Sequence, residues 1–259
     1  MKKLLFAMMI GMTAGLVMAQ DTVMVEKQQA DVAVTGDVSL YSAYVWRGLI
    51  LNDGPVAQPS LTVEKGPVSL NIWANYNIDG KNGNQDTDIS KTDFTLSYTI
   101  PDSSDDFDIN VGAIHYAYSD SRATNDMDTT ELFVSSTFYN ILLTPVVSIY
   151  YDADEAEGWY GSLALSQGFE ISDALTAEVG GSVGMGEGGY NEYYFPGSNG
   201  ANMNDYNVYV SASYAVTEDI SLGAKLAYTM LDGAVKDEAK KTYGADNTIW
   251  GGVTLSYKF

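Results

Sequence analysis

His115 is the only histidine in the chain and cysteine is absent, so the usual carriers of nucleophilic and acid–base chemistry are scarce. A hydrolase needs a nucleophile, a base and a group that orients the base. His115 supplies only the base, and no nearby serine stands in a lipase-like elbow. It reads as a polar residue near a membrane interface, and no catalytic residue is expected. The absence of cysteine also removes disulfides and thiolate metal sites. Two carboxylate-rich clusters, Asn84 with Asp86 and Asp88, and Asp102 with Asp105 and Asp106, offer hard oxygen ligands for Ca²⁺. Neither keeps the spacing of an EF-hand loop, and solvated acidic loops are the simpler reading. Gly186, Gly188 and Gly189 follow a strand pattern, but the Lys-Ser/Thr pair of a phosphate cradle does not follow them, so they read as a flexible loop. Neither a cofactor nor a metal is expected.

With chemistry scarce, charge and patterning carry the reading. The formal net charge is −21, from 34 acidic and 13 basic residues, a field that repels nucleic acid phosphates. Lys2 and Lys3 precede an apolar stretch over 4–17, and Val17-Met18-Ala19 ends it in a form that a signal peptidase reads. That stretch is shorter than the ~20 residues of a membrane span. Residues 1–19 are therefore expected to be a cleaved signal peptide, 20–36 a polar periplasmic arm, and 37–259 one domain. No cysteine follows the apolar stretch to anchor a lipid. Beyond residue 20 no apolar run is long enough for a membrane helix, which leaves a closed barrel as the way to satisfy a backbone in lipid.

The dominant pattern is a period of two. Val68, Leu70, Ile72, Ala74 and Tyr76 face one way, and Ser69, Asn71, Trp73, Asn75 and Asn77 face back. Phe94, Leu96, Tyr98 and Ile100 oppose Asp93, Thr95, Ser97 and Thr99, and Ile220, Leu222, Ala224, Leu226 and Tyr228 oppose Ser221, Gly223, Lys225, Ala227 and Thr229. The expected strands are 37–47, 56–64, 67–77, 91–100, 107–118, 130–139, 143–151, 159–169, 175–185, 205–215, 220–230 and 247–259. The second is interrupted by Pro59, and the fifth and seventh have an ambiguous phase. Most are close to the ~9–11 residues of a tilted transmembrane strand. The fold class expected is all-β: one antiparallel up-and-down transmembrane barrel of about 12 strands.

Connection lengths alternate as well. Short links at 65–66, 101–106, 140–142, 170–174 and 216–219 suit periplasmic turns, whereas 79–90, 119–129, 152–158, 186–204 and 231–246 are mostly longer and polar, as extracellular loops are. Trp46, Tyr76, Phe94, Tyr98, Tyr150, Tyr151, Trp159, Tyr206, Tyr214, Tyr228 and Tyr257 fall near strand ends, where aromatic girdles form. Alternation turns Glu64, Asp93, Glu131 and Glu178 inward, with Arg47, Lys225 and Lys258 against them.

The last strand ends Leu255, Tyr257, Phe259 on one face. It resembles the C-terminal signature of outer-membrane proteins, which implies recognition by the barrel-assembly machinery. Ser42, Tyr44, Arg47, Gly48, Asp53, Gly54, Pro55, Gln58 and Ser60, followed by Trp73-Ala74-Asn75, resemble the N-terminal motif of the TorF-family porins, also labelled Gcw_chp. The resemblance covers the first hairpin and a half. It implies an outer-membrane barrel in a Gram-negative bacterium and no particular substrate. Within the motif, Gly48, Gly54 and Pro55 suit a hairpin tip, with Arg47 at the rim and Asp53 as its plausible partner.

The function expected is a passive porin-like channel for small solutes with mild cation preference. Its expected partners are outer-membrane lipid, the assembly machinery and the solutes, not nucleic acid. A non-conducting structural or ligand- or metal-binding surface barrel is the alternative, and a lipid-modifying enzyme acting through His115 comes third.

Overall fold

The computed structural model describes residues 32–79, 88–101, 106–119 and 128–259. In chain order the elements are β1 (Ala33–Tyr41), β2 (Tyr44–Trp46), β3 (Leu49–Asn52), β4 (Val56–Lys65), β5 (Val68–Asn77), β6 (Ile89–Ile100), β7 (Phe107–Tyr118) and β8 (Thr129–Phe138). There follow β9 (Val146–Asp152), β10 (Trp159–Glu170), β11 (Leu175–Gly186), α1 (Gly188–Tyr194), β12 (Asn202–Ala215), β13 (Ile220–Leu231), α2 (Gly233–Tyr243) and β14 (Asn247–Lys258). All strands but β2 and β3 form one closed antiparallel barrel of twelve, in which each pairs with its sequence neighbours in the wall and β1 closes against β14. The expected fold class and strand number are those observed.

Alternation decides which residues face out. Leu70, Ile72, Phe94, Leu96, Leu132, Val134, Val208, Val210, Leu222 and Leu226 are all exposed on the outer surface. Their neighbours Asn71, Asp93, Thr95, Glu131 and Ser97 are buried inside. A wall that is apolar outside and polar inside is stable only with hydrocarbon around it. Pro59 fits because it is needed on one side only. It pairs with Val38 of β1, and the β4–β5 ladder skips Gln58 and Pro59, so the missing N–H leaves β5 without a broken bond.

Most strand boundaries differ from expectation by one to a few residues, and three of the differences have a visible cause. β1 starts at Ala33, inside the stretch assigned to the arm, because closure pairs Thr35 with Lys258, and the Phe259 N–H donates to the Val34 carbonyl at 3.0 Å. β1 also stops at Tyr41, not Arg47. The Ser42 N–H donates to the Gly251 carbonyl at 2.9 Å and the Ser42 hydroxyl accepts from the Gly251 N–H at 3.1 Å, after which the chain leaves the wall. β9 starts at Val146, since Leu143 and Thr144 take positive φ values of 63° and 34° in the preceding turn.

One end of the barrel carries the short turns, and the other carries the longer connections. At the long-loop end the β2–β3 hairpin, α1 and α2 fold over and into the lumen. Of the glycines expected to be a flexible loop, Gly186 ends β11 while Gly188 and Gly189 open α1, where the Glu187 carboxylate accepts from the Gly189 N–H at 2.9 Å. α2 buries Val235 and Ala239, ends on Gly244 in the left-handed conformation, and is tied by Lys236 and Lys240 to Asp246 at 3.4 and 3.2 Å. Desolvation is the largest single influence on the Asp246 carboxylate and pushes its pKa up, but the Lys240 and Lys236 ammoniums and the Asn247 amide together outweigh it and hold the group below its ordinary pKa.

Leu226 lies in the middle of β13 on the outer face. Leu226→Arg is expected to cost about 2–4 kcal/mol in denaturant unfolding from lipid vesicles. An unchanged midpoint would place that face outside the hydrocarbon.

Candidate functional site

The chain from Ser42 to Pro55 is the feature that distinguishes the lumen. β2 and β3 pair with each other and not with the wall. Tyr44, Trp46 and Leu49 are buried and meet Val56, Ile114, Tyr116, Tyr150, Tyr160, Leu231 and the helix residues Tyr190, Tyr194 and Val235 in one apolar cluster, while Ile50 is buried in a second with Ala43, Val45, Ala227 and Trp250. The hairpin thus packs the long-loop half of the barrel. Its seat is narrow. Arg47 and Gly48 at its tip take φ values of 45° and 83°, and a Cβ at Gly48 would collide with Leu231 and Asp205. Only glycine meets both demands.

Arg47 is the centre of the cluster. Its guanidinium donates two parallel bonds to the Glu131 carboxylate, at 2.6 and 2.7 Å, and a third to the Tyr190 hydroxyl at 3.2 Å. The Tyr116 hydroxyl donates to the same carboxylate at 2.7 Å. The guanidinium carbon lies 4.3 Å from the ring centres of Tyr150 and Tyr160 and 4.7 Å from that of Trp46. Planar, weakly hydrated guanidinium suits this mixture of bidentate pairing and stacking, which an ammonium would not reproduce. Beside it, Lys91 is 1% exposed, with its amine 3.2 Å from Asp93 and 3.8 Å from the centre of the Tyr116 ring.

The return of the hairpin to the wall is held by amides. Asn52 donates to Asn77 at 2.8 Å and accepts from the Gly54 N–H at 2.7 Å. Gln58 donates to Asn75 at 3.0 Å, Asn75 donates to Asn77 at 2.9 Å, and the Pro55 carbonyl accepts from the Ile78 N–H at 3.0 Å. The motif residues of the first hairpin are therefore those that turn the chain inward, seat it and bring it back.

Several placements correct the sequence reading. Arg47 is not at the rim, and Asp53 is exposed and is not its partner, because the inward turn at Ser42 carries Arg47 down to Glu131. Trp46 and Tyr150 lie in the lumen and not in a girdle, whereas Tyr76, Phe94, Tyr98, Trp159, Tyr214, Tyr228 and Tyr257 are exposed on the outer face. Asp93, Glu131 and Glu178 are buried inward, Lys225 is half-buried over the Tyr209 and Trp250 rings at 4.6 and 5.0 Å, and Glu64 and Lys258 sit at the short-turn end. His115 is exposed on the outer face with Nδ1 3.2 Å from the Thr130 hydroxyl. Asn84, Asp86, Asp102 and Asp105 lie outside the described residues, and among those described no group of metal-binding side chains gathers. Phe259 is 75% exposed and its ring stands edge-on to Tyr257 at 4.7 Å. Sequence reading missed Lys91, Asp205, Tyr160 and Tyr190. Lys91 had one usable signal, a position two residues from Asp93 and so on the same face.

No family model matches the chain, and no curated protein matches it. Among solved structures, an outer membrane channel from Pseudomonas putida F1 aligns with a TM-score of 0.55 at 10% identity, covering 92% of this chain and 100% of that one. The outer membrane channel DcaP of Acinetobacter baumannii aligns at 0.44 and 9% identity, over 90% of this chain and 99% of that one, and the NanC porin at 0.45 and 12%, over 88% and 99%. At such identities the likeness is one of fold. The fold is that of outer-membrane channels, and the TorF-family resemblance gains no support beyond it.

Arg47→Ala is expected to strand Glu131 in an apolar site and cost about 3–5 kcal/mol in unfolding from vesicles. Replacing both partners, Arg47→Met with Glu131→Leu, should cost less. If the single and double variants unfold alike, the pair is not acting as a desolvated unit.

Proposed function

We propose that this protein is an outer-membrane channel through which small polar solutes pass passively, with mild preference for cations. The observation that carries this reading is the closed twelve-stranded barrel, apolar outside and polar within. The short-turn end would face the periplasm and the long-loop end the medium. Delivery would follow from a signal peptide over 1–19, and insertion from recognition of Leu255, Tyr257 and Phe259 by the barrel-assembly machinery. Cation preference is supported by the buried acids of the long-loop half. Arg47 and Lys91 are matched by Glu131 and Asp93, and Asp152 and Asp205 add negative charge.

A second reading, a non-conducting barrel, is favoured by one observation, the hairpin and aromatic rings packed into the long-loop half. In the channel reading the same hairpin is the constriction. Purified protein in planar bilayers should give discrete current steps whose reversal potential in a salt gradient favours cations. Gly48→Ala, which unseats the hairpin, should enlarge them several-fold. Silence in both the natural and the Gly48→Ala proteins would leave the non-conducting reading, and an anion-favouring potential would end the claim of cation preference.

A further inference from the structure

β14 continues past the point where β1 leaves the wall. On its β13 side the ladder runs on from Gly252 to Asn247, which pairs with Met230. On its β1 side the ladder stops at Gly252, opposite Tyr41, with one further pair of bonds between Gly251 and Ser42. Peptide groups alternate sides along a strand. Gly251 bonds toward β1, and the Asp246 carbonyl accepts from Leu231 on the β13 side, so Ile249 and Asn247 turn toward the side that β1 has left. Among the described residues no strand residue pairs with them there, and the Ile249 carbonyl accepts from the Thr248 hydroxyl at 3.3 Å. An open edge of this kind is a template for another strand.

Residues 42–46 fit that edge in length and in phase. With the register of β1 continued, Ser42, Ala43, Tyr44, Val45 and Trp46 come opposite Gly251, Trp250, Ile249, Thr248 and Asn247. Val38 and Leu40 are exposed on the outer surface, and a period of two sets Tyr44 and Trp46 on the same face. Ala43 and Val45 keep the inward face, where they already pack with Trp250. Continuing the β1–β4 register past Tyr41 and Val56 brings Trp46 opposite Leu51, joined by a loop over 47–50. Pro55 comes opposite Ser42. Its carbonyl already accepts from Ile78 on the β5 side, so its missing N–H takes no bond from the extended pairing with β1.

We infer that the chain from Ser42 to Pro55 is a gate with two positions. Seated in the lumen it closes the channel, and extended along β14 it becomes part of the wall and opens it. The gate rests on the channel reading for what it controls. One segment exchanges between two packings when each offers what the other lacks. The seated form holds the apolar cluster and the Arg47–Glu131 pair. It also leaves the edge of β14 open, and it buries the Tyr44 hydroxyl and Trp46 Nε1 without hydrogen-bond partners. The extended form closes the edge and carries both rings to the outer face near the rim, where Tyr and Trp put their polar ends in the headgroup layer. It returns Arg47 to the rim and leaves Glu131 facing a lumen that water fills.

The chain has no cysteine, so an introduced pair has no competitor. Extended, Tyr44 and Ile249 stand opposite each other with Cα atoms about 5.5 Å apart, within disulfide range. Seated, the Tyr44 ring lies 5.7 Å from that of Trp73 across β4, while Ile249 is exposed on the outer face. Tyr44→Cys with Ile249→Cys, folded in vesicles and oxidised with copper phenanthroline, should cross-link. The linked channel should carry several-fold more current until a reductant restores the lower level. Leu40→Cys with Val253→Cys, opposite in both positions, should cross-link and leave the current unchanged. Ile249→Pro acts in the other direction with Tyr44 intact. The N–H it removes faces the open edge, so the seated barrel keeps its ladder and its heat-sensitive gel mobility, whereas the extended strand loses a bond. Its larger current steps should become at least tenfold rarer than those of the natural protein. The gate is overturned if Tyr44→Cys and Ile249→Cys stay unlinked where the wall pair links, or if Ile249→Pro opens as often as the natural protein. A link that leaves an existing current unchanged removes the gate and keeps the channel. A link that forms in a barrel without current keeps the two positions of the segment and removes the channel.

Discussion

In hydrocarbon no water is available to bond a backbone amide, so a strand wall has no tolerable edge. Everything else in this molecule follows from that demand. β1 and β14, the two wall strands farthest apart in the chain, must meet, and Val38 stands between Leu255 and Pro59 as a result. The number of strands that close, here twelve, fixes the lumen width. Once the wall is closed, the period-two geometry allows no choice of face. Each residue is committed either to lipid or to the interior.

A lumen of this width cannot be filled by wall side chains alone, and the two halves solve the problem differently. The long-loop half is packed by inserting chain, which brings a charge with it. Arg47 in an apolar cage would be prohibitive alone. The bidentate Glu131 bonds, the Tyr190 hydroxyl and the three ring faces together satisfy it. Such a pair adds little stability over an apolar pair of the same volume, but it accepts one position only. A hairpin that could sit in several ways is thereby held in one, with Gly48 wedged at Leu231 and Asp205.

The wall was largely legible in the sequence and the insert was not. Alternation reads faces directly, and strands such as β7 emerge at the expected bounds, Phe107–Tyr118. The same signal misleads between Val38 and Trp46, where the apolar phase continues past Ser42 although the wall ends at Tyr41. Nothing local marks the exit, because the bonds that stop β1 come from Gly251, more than two hundred residues on. In Ile149-Tyr150-Tyr151 both faces are apolar, so composition leaves the inward ring indistinguishable from the outward one. The partner of Arg47 was misread for a related reason. Nearness in sequence favours Asp53, whereas Glu131 becomes a neighbour only after closure.

The division of the lumen also sets where its charge lies. Charge acts at a distance, up to a Debye length of about 8 Å in physiological salt, and more strongly where the walls exclude water. Asp152 and Asp205, which form no ion pair among the described residues, stand at the long-loop end. Deeper in the lumen Asp37, Glu178 and Lys225 also face inward, so charge is present in both halves and is not confined to the long-loop end.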